Sequence, residues 1–65
     1  MDKKEFQETR YDLLLDMKEQ NSVKLDLTQA PWEISGIIIG VGETEFEFSD
    51  GHIYPISAIL HYRFN

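Results

Sequence analysis

Three carboxylates at alternate positions, Glu43, Glu45 and Glu47, with Asp50 just beyond them, are the densest group of potentially reactive side chains in this sequence. On an extended strand alternate residues face one side at intervals of about 7 Å, so the three glutamates form a carboxylate row. Such a row keeps an exposed strand soluble; continued by Asp50, it would also steer association with a basic partner surface or mimic nucleic-acid phosphates. General acid–base chemistry needs a carboxyl desolvated until its pKa climbs towards neutrality, and nothing in the surrounding sequence buries one. The only imidazoles, His52 and His61, have no third ligand beside them, so no metal site is expected. There is no cysteine and no Gly-x-Ser-x-Gly or His-Glu-x-x-His arrangement. Gly40-Val41-Gly42 lacks a following Gly-Lys-Ser/Thr and reads as a turn, not a phosphate loop. The expectation is a protein that is not an enzyme and takes no cofactor.

Binding residues are easier to find. Trp32, Tyr54, Tyr62 and Phe64 are of the type enriched at interface hot spots, and a core this small does not hold every aromatic. On the last strand Leu60, Tyr62 and Phe64 share one face, with Ile59, His61 and Arg63 on the other, which leaves an apolar face for a partner. Cations are scarce. Lys3, Lys4, Arg10 and Lys18 fall in the first twenty residues; beyond them Lys24 and Arg63 stand against six acids, a balance of −4 within a chain of net charge −6. Phosphate binding depends on lysine and arginine, so nucleic acid is a disfavoured partner, and the alternative of an RNA-binding regulator would have to use those four helix cations.

These side chains are positioned by one helix and five short strands. Asp2 with Glu5 is a capping-box-like start. Phe6, Arg10, Leu13, Leu14 and Met17 then fall on one stripe of a 3.6-residue period, with Asp12, Asp16 and Glu19 mostly off it. Asn21 and Ser22 end the helix, which occupies residues 1–21. From Ser22 the period becomes two: Val23, Leu25 and Leu27 alternate with polar residues. Gln29-Ala30-Pro31 breaks that strand. The next carries Ile37, Ile38 and Ile39 between Gly36 and Gly40, apolar on both faces, and predicts a strongly curved central strand. Thr44, Phe46 and Phe48 alternate with the glutamates in a third strand. Asp50-Gly51 predicts a type I′ hairpin turn into a short strand limited by Pro55. Ser57-Ala58 makes a corner, and residues 59–64 form the last strand.

At 65 residues with 42% hydrophobic content the chain is too apolar to be disordered, yet a domain of this size buries only about 60% of its unfolded surface. Without disulfides, homo-oligomerisation is the expected supplement, and an edge strand at the end of the chain is a natural site for it. No long apolar run and no signal-peptide arrangement is present, so a cytoplasmic protein with no membrane contact is expected. The fold class is α+β, mainly β: residues 1–65 as one domain, an N-terminal helix and, over 22–65, a five-stranded, strongly bent antiparallel small barrel.

That arrangement resembles the Sm-like small barrel of the Sm, Lsm and Hfq proteins. The segment His52-Ile53-Tyr54-Pro55-Ile56-Ser57-Ala58-Ile59 is similar to the Hfq-type Ile-Tyr pair leading into a short corner. The second half is also similar to the YolD-like family of Gram-positive bacteria and their phages. In Hfq-like proteins the tyrosine precedes a Lys-His pair that grips uridine-rich RNA, whereas Pro55 and Ile56 follow Tyr54. The resemblance therefore implies the fold without the RNA grip. The acidic, Rho-inhibiting Rof family is the closer electrostatic analogue, and it implies an adaptor or inhibitor that binds a protein.

Overall fold

Asp2 accepts a hydrogen bond from the Glu5 amide (2.7 Å) and caps helix α1, Lys3–Glu19, in the computed structural model, which describes residues 1–64, the Phe64 side chain lying outside that description. The apolar stripe docks as its spacing predicts: Leu13 is fully buried, and Phe6 and Met17 pack against the core. The helix ends on Gln20, whose left-handed backbone (φ 57°) lets the Asn21 amide reach back to the Asp16 carbonyl.

Five strands follow: β1 (Ser22–Leu27), β2 (Glu33–Val41), β3 (Glu45–Phe48), β4 (Ile53–Pro55) and β5 (Ile59–Phe64). All neighbouring pairs are antiparallel, in the order β4-β3-β2-β1-β5. The expected barrel does not close. One turn of 3-10 helix, Ile56–Ala58, carries the chain from β4 to β5, which remain the two ends of an open, bent sheet.

The bend lies in β2, as its glycines predict. Its first half pairs with β1 and its second half with β3, and the register shifts between Ile38 and Gly40, so Ile39 is an inserted residue. At Gly36 (φ 152°) the strands approach so closely that a Cβ would strike Ser49 Oγ and stand 3.0 Å from Phe48 Cε2. Ser49 uses that proximity: its hydroxyl accepts the Ile37 amide (3.0 Å) and its own amide donates to the Ile37 carbonyl (2.8 Å). Val23, Leu25, Leu27, Ile34, Ile38, Phe46 and Phe48 fill the concave side, and α1 lies against β2 and the corner.

Three expectations need correction. Of the Asp50-Gly51 pair only Gly51 has positive φ (86°), and its amide donates to the Phe48 carbonyl while the Phe48 amide donates to His52. The turn is therefore type I followed by a left-handed glycine, not type I′; the Asp50 carboxylate accepts the His52 amide (2.8 Å), which stabilises the αR conformation an I′ turn would forbid. On β5 a register shift opposite Asp26/Leu27 makes Leu60 an extra residue, so Ile59 joins the core with Tyr62 packed on it, and Leu60 is exposed. Asp16, read as off the packed stripe, is 3% exposed. The Tyr62 hydroxyl and Asn21 Nδ2 (2.8 Å) both donate to its carboxylate, which is how a charge is tolerated beside Leu13.

Candidate protein-binding face

The convex face of the sheet divides into two unlike halves. Over β1, β5 and the start of β2 its acids are paired. Arg63 Nη2 donates to both Asp26 oxygens (2.8 Å each), His61 Nδ1 lies 3.4 Å from the same carboxylate, and Lys24 Nζ lies 3.3 Å from Glu33. Partial desolvation of Asp26 opposes its ionisation, but the hydrogen bonds and charge of Arg63 and then His61 outweigh it and hold the carboxyl below its ordinary value.

Over the second half of β2, β3 and β4 the face is apolar with unpaired acids. Ile37, Ile39 and Ile53 are 38%, 54% and 65% exposed. Glu47 sits in register between Gly40 and Ile53, and Glu45 lies opposite Pro55. Glu45 takes a hydrogen bond from the Thr44 hydroxyl (2.6 Å), and among the described residues no cation forms an ion pair with Glu43, Glu45 or Glu47. Gly40, Gly42, Glu45, Glu47 and Ile53 border a shallow depression of about 210 Å³.

The predicted carboxylate row shrinks to Glu45 and Glu47. Glu43 precedes β3 and lines a different hollow, of about 650 Å³, beside Lys3, Phe6 and Arg10. Asp50 turns back into its own hairpin, accepting the Tyr54 hydroxyl (2.6 Å) as well as the His52 amide. These bonds hold Asp50 below the usual carboxylate range, chiefly through Tyr54, and the same contact pushes the Tyr54 phenol up to about 12. That shift predicts an alkaline transition. A tyrosine raised in the folded state contributes stability that is complete below its unfolded value near 10 and is lost as pH rises towards 12. Wild-type stability measured by urea unfolding is expected to fall across that window, and Tyr54→Phe to lose part of the fall; equal slopes would contradict the contact.

The aromatics do not gather into one surface. Tyr54 is 6% exposed, with its ring 5.7 Å from Phe46, and belongs to the core because β4 presents it to the concave side. Tyr62 is half-buried and directs its hydroxyl at Asp16. Trp32 is 64% exposed, with a left-handed backbone (φ 71°) fixed by its amide donating to Gln29 and its carbonyl accepting from Leu27. It lies at the far end of β2 from Ile39, about 20 Å of extended chain away. The Phe64 side chain lies outside the described residues.

Nor do the four helix cations form a patch. Lys3 and Lys18 stand at opposite ends of α1, separated by about 22 Å at the helical rise. Arg10 is tied down, its Nε donating to the Gly42 carbonyl (2.8 Å). Among the described residues no three histidine or acidic side chains group to hold a metal ion, and no helix is long and apolar enough to cross a membrane.

Nothing in the sequence marks the isoleucines as a surface. Ile37 to Ile39 make β2 apolar on both faces, and simple alternation along the strand buries Ile34 and Ile38 while Ile37 and Ile39 face outward and stay exposed. Comparison with protein families, with curated proteins and with solved structures found no match to this chain.

Proposed function

We propose that this protein is a small acidic adaptor or inhibitor that acts by binding another protein, and that the convex face of β2, β3 and β4 is its contact surface. One observation carries the reading: exposed Ile37, Ile39 and Ile53 lie beside carboxylates that no described cation neutralises, while the acids on the other half of the same face are paired. Water-facing isoleucines on β2 and β4 lose free energy by exposure and gain it on docking, at roughly 25 cal/mol for each Å² covered. Their acidic neighbours keep the free protein soluble and set which partners approach productively. The element order, a capped helix, a bent second strand shared by two half-sheets and a one-turn corner before β5, supports placing this function on an Sm-like frame. The open edge strand β5 supports self-association as a second mode of contact.

The test is crosslinking and affinity capture with wild type beside an Ile39→Asp, Ile53→Asp variant, both residues being exposed and so dispensable for the core. A stoichiometric protein captured by wild type and lost by the variant is expected. Specific RNA retained equally by both, with no protein partner, would replace this reading with the nucleic-acid one.

A further inference from the structure

We infer that the occupant of this face is a basic amphipathic α-helix of a partner protein, an inference that rests on the protein-binding reading above and goes beyond it in fixing the partner's chemistry.

The backbone of the face limits what docks there. β2 and β3 are hydrogen-bonded to neighbours on both sides, so only side chains point outward from them. β4, the edge beside the patch, has three residues and ends in Pro55, which has no N–H to give. A partner strand gains little by pairing there. A helix satisfies its own backbone and asks only for side-chain contacts, so it fits a face that offers only those. From β2 to β4 is two strand spacings, about 10 Å, the diameter of a single helix.

The charges name its sign. Glu45 and Glu47 stand about 7 Å apart on one strand face, close to the 5–6 Å or so between residues four apart on a helix. A partner helix with lysine or arginine at such a pair, and leucine-like residues beside it, sets its cations over the glutamates and its apolar stripe over Ile37, Ile39 and Ile53. A second copy of this chain is a poor occupant by the same count: it carries −6 overall and would bring its own glutamates against Glu45 and Glu47.

Gly40 offers a clean probe. A Cβ there would meet Glu47 Cβ at 3.6 Å, an ordinary contact, and Gly40 is not among the positive-φ residues, so the fold itself has room for a side chain. Its bareness leaves the depression beside Glu47 and Ile53 open to an approaching helix.

The experiment titrates isotope-labelled full-length protein with a synthetic peptide of about 15 residues, long enough to form an isolated helix, with leucines on one face flanked by lysine and arginine. Companion peptides replace the cations by glutamate or interrupt the helix with proline. The expected result is amide shifts confined to Ile37, Ile39, Glu47, Ile53 and their neighbours, weaker binding at higher salt, and at least about ten-fold loss of affinity for Gly40→Val and for Glu45→Lys with Glu47→Lys. Equal binding of the glutamate or proline peptide, shifts centred on Trp32 or α1, or concentration-dependent dimerisation through the same amides would each overturn the inference. The two readings fail separately: a crosslinked partner that still requires Ile39 and Ile53 while the basic helix fails sinks only the helix, and the absence of any such partner sinks the protein-binding reading as well.

Discussion

Phe46→Ala is expected to unfold the protein or leave it on the edge of unfolding. Phe46 is fully buried at the centre of β3, edge-on to Phe48 with ring centroids 6.3 Å apart and tilted against Tyr54. Truncating a buried phenylalanine costs about 3–5 kcal/mol, transfer and cavity together. A domain of this length has roughly 3–10 kcal/mol in all. The neighbours are poorly placed to fill the gap, because Phe46 is held in register between Val41 and Tyr54 by ladders on both sides. Urea unfolding followed by far-ultraviolet circular dichroism reads the loss. Ile53→Ala, on the exposed face of the same hairpin, is the comparison and should change stability by less than about 0.5 kcal/mol. Similar losses at the two positions would contradict the division of this hairpin into a buried and an open side.

The elements were legible because their signals are local. A capping aspartate, a 3.6-residue stripe from Phe6 to Met17 and alternating Phe46 and Phe48 each report a backbone state within one turn or one strand. The bend in β2 was legible for the same reason, since glycines at 36 and 40 bracket it. The insertion at Ile39 falls beside Gly40, where the glycines leave room for a bulge. The one in β5 was not legible: nothing local marks Leu60, yet its insertion reverses the face parity along the strand and puts Ile59 in the core.

The site was legible only in its charge. Glu45 and Glu47 alternate with buried phenylalanines and so had to face outward, but Asp50 was drawn away by a turn in which its carboxylate has two donors. Which face of the sheet the helix would cover is a tertiary fact. Continuous isoleucine in β2 is compatible with cover on both faces or on one, and only the docking of Leu13 against the concave side decides it. Tyr54 and Tyr62 stand among the candidate binding aromatics in the sequence because spacing does not pair them with their hydrogen-bond partners, four and forty-six residues away.

That last pairing carries the second large effect. Tyr62→Phe is expected to cost about 1.5–3 kcal/mol, the worth of a hydrogen bond to a charged group, because it strips a donor from the buried Asp16 carboxylate. Asn21 Nδ2 remains at 2.8 Å but does not satisfy both oxygens, and water has little access to the other. Asp16→Leu should cost a similar amount by taking the carboxylate from the Tyr62 hydroxyl, which then has the more distant Asp12 carbonyl, at 3.3 Å, to donate to. The double variant removes both partners together, so it should be less destabilised than the sum of the single ones by at least about 1 kcal/mol. Alkali gives an independent reading. Burial first, and then the Asp16 bond, raise the Tyr62 phenol far above its ordinary value of 10.0, so its contribution holds below that pH and is lost as pH climbs past it towards the folded value. Tyr62→Phe should therefore flatten part of the wild-type decline above that point. Additive single-variant energies with an unchanged alkaline slope would show that α1 is held to β5 by packing alone, with the carboxylate a passenger.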